Sequence, residues 1–348
     1  NWPLFAEKAR ELLTVSKVDV MFGCWTSVSR KSVLPVIEEL NGLLFYPVQY
    51  EGEESSKNVF YTGAAPNQQA IPATDYYLDE LGVKKFALLG TDYVYPRTTN
   101  KILKQYLIDK GIPESDIFVN YTPFGHSDWS KIVGDVVALG ADGKKVGVIS
   151  TINGDANIGF YKELAAAGIK ADDIPVVAFS VGEEELSGLD TKNLVGHLAA
   201  WNYFQSAESD LNTKFIKKWK AKMGDKRVTN DPMEAHVIGF EMYVKAVEKA
   251  GSADVDAVRK AMYGIKVPNL TGGTAEMLPN HHLSKPVLIG EIKADGQFDI
   301  ISQTEEVPGD AWTDFLAESK PLMSDWKSMG CGMYNKNTKT CVQIKSNY

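Results

Sequence analysis

Histidine and cysteine are scarce in this chain of 348 residues, and several catalytic signatures are missing altogether. The five histidines, His126, His197, His236, His281 and His282, show no HExxH or other ligand spacing. Asn153-x-Asp155-x-Asn157 imitates the start of a calcium loop, which needs Gly at its sixth position and Glu at its twelfth. Ile158 and Leu164 stand there instead, so no essential metal is expected. Neither a P-loop nor a GxGxxG turn occurs, and no nucleotide or other cofactor is expected. The GxSxG nucleophile elbow is absent too. Cys24 ends an apolar strand with no histidine close in sequence, which suits a packed thiol better than a nucleophile. Binding without turnover is the expected chemistry.

Long apolar runs are also lacking. Nothing approaches the roughly 20 residues of a spanning helix, so the chain is not expected to cross a membrane. The basic residues are dispersed and the formal net charge is -8, which excludes nucleic acid and anionic lipid as natural partners. There is no low-complexity tract, long linker or fixed-period repeat, and no signal-peptide pattern at the first residues.

What is present alternates. Apolar, β-rich runs at 18–23, 42–48, 84–91, 144–151, 174–181 and 195–201 are separated by amphipathic segments at 28–40, 68–82, 98–111, 128–140 and 156–168. Such alternation predicts parallel sheets covered on both faces, an α/β doubly wound architecture. From 206 to 263 helices follow one another, and short strands return over 286–302. The length exceeds what one core usually supports. Two α/β domains are therefore expected, 1–62 plus 204–285 and 63–203 plus 286–348. The chain would cross between them near 59–63, 199–204 and 283–287, a hinge of about three crossings. Segment 2–14 reads as a complete helix with Asn1 as N-cap and Pro3 in its first turn. An α/β domain rarely opens on a helix, so a strand is expected upstream of Asn1.

Ligands of such sheets gather where strands end and helices begin. Five loops there are rich in hydroxyls, amides and rings but poor in charge, which suits a small neutral polar ligand. Trp25, Thr26 and Ser27 lie in the first, where Thr26 or Ser27 would cap a helix while free N–H groups hold a ligand oxygen. Tyr46 and Val48 lie in the second and Tyr93 in the third. The tyrosines are either amphipathic boundary residues or ligand partners. Ile152, Asn153, Gly154 and Asp155 form the fourth loop, and Ser180 and Glu183 belong to the fifth. Glu183 opens an acidic run that suits a solvated first helical turn, with an acceptor role for ligand N–H groups as the rarer alternative. Cys331 and Cys341 bracket a polar, turn-rich segment. They either close a disulfide-stapled loop, which implies an oxidising compartment, or remain two free thiols in a reducing one.

Taken together, GCWTSVSRKSVLPV (23–36), NGLLFYPVQYEGEESSKNVFYTGAAPNQQ (41–69) and GTDYVYPRTTN (90–100) resemble the urea-binding component of bacterial urea ABC transporters. The same motifs recur more loosely in related amide-sensing regulators and short-amide-binding proteins. This group falls within the type I periplasmic binding proteins of the branched-chain amino acid and amide-binding class. The resemblance implies two α/β domains joined by three crossings, with the ligand in the cleft between them. It implies that the positions of Ser27, Tyr46, Val48, Tyr93, Ile152, Asn153, Gly154 and Ser180 line the pocket. A strand–helix–strand portion before Asn1 is implied as well. The expected partners are urea or a short amide and the membrane permease of an ABC transporter, with a periplasmic or lipid-anchored location. A cytosolic amide-sensing regulator of the same fold is the alternative.

Overall fold

The computed structural model describes residues 1–342. The chain enters through α1 (Trp2–Thr14), β1 (Met21–Phe22), α2 (Ser27–Glu39), β2 (Leu44–Tyr46) and β3 (Val59–Tyr61). It then builds a second lobe from α3 (Ala70–Asp79), β4 (Lys85–Thr91), α4 (Val94–Asp109), β5 (Ile117–Thr122), α5 (Ser130–Leu139) and β6 (Val146–Thr151). That lobe continues through α6 (Ala156–Ala166), β7 (Val176–Ala178), α7 (Glu183–Leu186) and β8 (Leu198–Trp201). The chain returns to the first lobe for α8 (Asp210–Met223), α9 (Asp231–Ala250), α10 (Val255–Met262), β9 (Lys266–Pro268), β10 (Thr274–Met277) and β11 (Leu283–Lys285). β12 (Leu288–Ile292) and β13 (Phe298–Gln303) rejoin the second lobe. The tail holds β14 (Val307–Pro308), β15 (Leu322–Asp325), β16 (Cys331–Asn335) and β17 (Thr340–Cys341).

The second lobe is a seven-stranded sheet in the order β13-β12-β8-β7-β6-β4-β5. Every residue of β4 and β6 is buried, as expected where helices cover both faces of a parallel sheet. Ala87, Leu89 and Val148 face the core under α5 and α6, while Phe86, Leu88 and Ile149 face α3 and α4. β12 pairs antiparallel with β8 and β13, closing one side of the sheet. In the first lobe β1, β2 and β3 are parallel, packed by α1 and α2 on one face and by α9 and α10 on the other. The expected strand 18–23 is observed only over Met21–Phe22, and it ends where Gly23 and Cys24 turn the chain with φ of 153° and 62°.

One side chain ties the crossings together. Asn202 is fully buried, and its Nδ2 donates to Gln68 O (3.0 Å) and Pro286 O (2.8 Å), one on each of the other two crossings. Its backbone N–H donates to Asp231 Oδ2 (2.9 Å) at the start of α9. Close approach also governs the first crossing, where a Cβ on Gly63 would fall 2.2 Å from the Val48 carbonyl.

The tail departs from the expected grouping of 286–348 with the second lobe. β14 pairs with β11, and the β15–β17 meander bonds to the first lobe through Trp326 N–H to Pro279 O and Trp326 Nε1 to Ser55 Oγ. Short strands carry no sequence mark of which sheet edge they will join, so this return is invisible in the pattern. Residues 343–348 of that grouping lie outside the described residues. Cys331 and Cys341 form a disulfide within the meander.

Candidate functional site

The first-lobe wall begins where α2 starts. Thr26 is the N-cap, its Oγ1 accepting from Ser29 N–H (3.2 Å), so this hydroxyl is committed to the helix. Ser27 is buried and donates to Glu51 Oε2 at 2.5 Å. Glu51 in turn meets Arg30 Nη2 (3.1 Å), whose Nε bonds Glu54 Oε2 (2.7 Å), and Lys31 Nζ reaches Glu54 Oε1 (2.8 Å). The fully buried guanidinium lies 4.6 Å from the Tyr46 ring centroid and 4.8 Å from that of Tyr50. Two carboxylates and two aromatic faces thus replace the water that Arg30 loses. Among its causes of shift, burial works against the Arg30 charge, but Glu54 and Glu51 outweigh it and hold the group firmly protonated. For Glu54 burial is likewise opposed by Arg30 and Lys31, which bring its pKa down to about 2. Tyr46 donates its hydroxyl to Trp25 O (2.6 Å), and Val48 is buried in the same core.

The second-lobe wall comes from the ends of β4, β6 and β7. Tyr93 starts α4, with its ring 4.9 Å from Phe124 and 6.2 Å from Tyr95. Asn153 N–H donates to Thr91 Oγ1 (2.8 Å) and Asn153 Nδ2 to Thr151 O (3.0 Å). Gly154 turns the chain into α6 with φ of 65°, a conformation that costs glycine little. Across the gap, Gln49 Nε2 donates to Phe179 O (2.7 Å) and to Ser180 Oγ (3.0 Å), joining the lobes directly.

These contacts enclose a cavity of about 70 Å³ between the lobes. Trp25, Asn153, Gly154 and Ser180 line it, together with Gln49, Gly182, Glu185, Trp201, Asn230, Asp231 and Pro232. Ser27, Tyr46 and Val48 stand behind the first-lobe wall, and Ile152 belongs to the core beneath the second. Tyr93 is half buried against Phe124 at the edge of α4.

Three expected residues turn elsewhere. Thr26 caps its helix, Asp155 is exposed at the start of α6, and Glu183 points inward, accepting from Gln205 N–H at 2.6 Å. Burial pushes the Glu183 carboxyl up to about 8. The expected oxygen donor Ser27 is likewise committed, because its hydroxyl donates to the Glu51 carboxylate.

Gln49, Asp231, Glu185 and Trp201 escaped the sequence reading. Gln49 lies in a loop singled out for its polarity, whereas Asn230-Asp231-Pro232 reads only as a helix start, which it also is: Asn230 Oδ1 accepts from Met233 N–H. Two acceptors here make no hydrogen bond of good geometry among the described residues, Gln49 Oε1 beside Tyr95 and Asp231 Oδ1 beside the Tyr203 backbone, and both side chains are more than nine-tenths buried. The buried Tyr95 hydroxyl, beside Gln49 and Ser180, also makes no hydrogen bond of good geometry. Gln49 and Asp231 line the cavity, whereas Tyr95 lies outside its lining. No group of three or more His, Cys, Asp and Glu among the described residues could hold a metal ion.

A model of the periplasmic binding protein domain matches residues 1–318. The chain belongs to this family. Its homologues are solute-binding proteins without enzymatic activity. The fold is the two-lobed α/β type I arrangement. A Leu/Ile/Val-binding protein homolog of Brucella melitensis is 23% identical over 82% of this chain and 73% of its own. Among solved structures, a solute-binding protein of an ABC transporter from Rhodopseudomonas palustris HaA2, in complex with p-hydroxybenzoic acid, superposes with a TM-score of 0.76. It is 20% identical and covers 89% of this chain and 83% of that one. A leucine-binding protein from Thermotoga maritima MSB8 gives 0.74 at 16% identity, over 88% and 85%. A limonene hydroxylase of Geobacillus stearothermophilus is 30% identical over 39% of this chain but only 23% of its own length, too short a share to carry its activity across. No described helix of this binding protein is long and apolar enough to cross a membrane.

Proposed function

We propose that this binding protein is the extracytoplasmic receptor of an ABC transporter for urea or a similarly short, uncharged amide. The observation that carries the reading is the pairing of a cavity of about 70 Å³ with the underbonded acceptors Gln49 Oε1 and Asp231 Oδ1. Pockets for drug-sized ligands run to roughly 300–1,000 Å³, so the cleft in this arrangement suits a guest of a few heavy atoms. Urea presents four N–H donors and one carbonyl. Gln49 Oε1 and Asp231 Oδ1 would accept from its amines, and Trp25 and Trp201 would flank its faces. A guest lacking those N–H groups would leave buried acceptors unpaired, at a cost of about 1–3 kcal/mol each.

Size also caps affinity. At about 1.5 kcal/mol per heavy atom, urea supplies about 6 kcal/mol, a Kd of tens of micromolar. The Cys331–Cys341 disulfide supports an oxidising compartment over a cytosolic sensor. The polar contacts of Gln49 with Phe179 and Ser180 support closure of the lobes over the ligand, the form a permease would receive. Calorimetric titration with urea, acetamide, formamide and leucine tests the reading. One-to-one binding with urea preferred, weakened at least tenfold by Asp231→Asn, is the expected result. Preference for leucine over every amide would refute it.

A further inference from the structure

We infer that the cleft also takes small planar amidinium cations, and holds them more tightly than neutral amides of the same shape. The inference rests on the reading of this cavity as the ligand site and extends it to a second class of guest. Its ground is an imbalance between donors and acceptors in the lining. Gln49 Nε2 donates to Phe179 O (2.7 Å) and Ser180 Oγ (3.0 Å), and Asn153 Nδ2 to Thr151 O (3.0 Å). Trp201 Nε1 donates to Val181 O (2.9 Å), and Gly182 N–H to Glu185 Oε2 (2.8 Å). These donors are engaged within the protein, while the lining acceptors Gln49 Oε1 and Asp231 Oδ1 make no hydrogen bond of good geometry. A neutral amide brings N–H groups to such a lining, but also an oxygen that needs a donor. An amidinium carries a second NH₂ in place of that oxygen, so all its polar atoms donate.

Charge points the same way. Glu185 and Asp231 both line the cavity, and no Lys, Arg or His does. Glu183 and Glu234 act on Asp231 or Glu185 from just outside the lining, so the carboxyl groups gather there. Lys285 is the one cation among the described residues that acts on Asp231, and its Nζ is already held 2.5 Å from Glu234 Oε2. Burial pushes the Asp231 and Glu185 carboxyls up from their ordinary range, a cost that a cationic guest relieves by pairing with them. Trp25 and Trp201 line the same space and add aromatic walls, which attract a cation once water is excluded. The volume of about 70 Å³ suits a guest of four heavy atoms, the size of urea and of acetamidinium alike.

Acetamidinium and acetamide are nearly the same shape and isolate the effect. In calorimetric titrations at pH 7 and matched chloride, the wild type should bind acetamidinium at least about tenfold more tightly than acetamide, because charge-assisted hydrogen bonds are the stronger kind. In Asp231→Asn, whose side-chain oxygen can still accept from Asn202 N–H, the ratio should fall to about threefold or less. Glu185→Gln, at a less buried position, should also lower the ratio by at least about threefold, and it keeps the test open if the first variant does not fold. Folding of each is checked by near-ultraviolet circular dichroism. A wild-type ratio below about threefold, while urea still binds, overturns the amidinium inference and leaves the amide reading standing. A ratio undiminished in the folded variants overturns it too. Binding of acetamidinium without measurable binding of urea, acetamide or formamide upholds the inference and refutes the amide reading. Leucine bound more tightly than acetamidinium and every amide overturns both.

Discussion

Replacing Asn202 with leucine tests whether one side chain unites the three crossings. Leucine resembles asparagine in shape, so little cavity is made and the effect is confined to polarity. The change removes the Nδ2 donations to Gln68 O and Pro286 O, and leaves both carbonyls short of a buried partner. Each lost bond with its stranded acceptor costs about 1–3 kcal/mol. In the other direction, Asn202 Oδ1 has no partner among the described residues, so its loss relieves a buried, unsatisfied acceptor by about 1 kcal/mol. The backbone donation to Asp231 survives. The balance is a destabilisation of about 1–5 kcal/mol. Thermal unfolding followed by tryptophan fluorescence measures it, heat being chosen because urea and guanidinium both resemble the proposed ligands. A loss below about 0.5 kcal/mol would show that the crossings hold without this contact.

Arg30→Met should destabilise the first lobe by about 3–5 kcal/mol, because Glu51 and Glu54 lose their main counter-charge; differential scanning calorimetry reads the shift, and a change within 1 kcal/mol would contradict the charge cluster. Cys341→Ser should cost about 2–3 kcal/mol from the closed loop of separation 10, with unaltered ligand affinity, both measurable under matched redox conditions. The Glu183 carboxyl, raised to about 8 by burial, binds its proton more tightly folded than unfolded. Its contribution is therefore full below about pH 4.5 and is lost as pH rises to about 8. A decline on the order of 2–4 kcal/mol across that window is expected. Glu183→Gln should flatten it, and a slope identical in the variant would assign the effect to another group.

Strand and helix placement was legible because burial writes itself into composition. Parallel strands covered on both faces must be apolar along their length, and β4 and β6 are recognisable from 84–91 and 144–151 alone. The loops at strand ends were also legible, since topology alone requires ligands to gather there. Partnering was not. Ser27 looks like a free hydroxyl at a helix start until folding brings Glu51, 24 residues on, against it. Asp231 looks like a first-turn acid until the return of α9 to the hinge buries it at the cleft with one oxygen underbonded. Glu183 looks solvated until Gln205 covers it. Local pattern sets the period and the burial of each segment, because neighbours along the chain share one face. Which polar groups meet, and which are left for a guest, depends on contacts between distant segments that only the packed lobes decide.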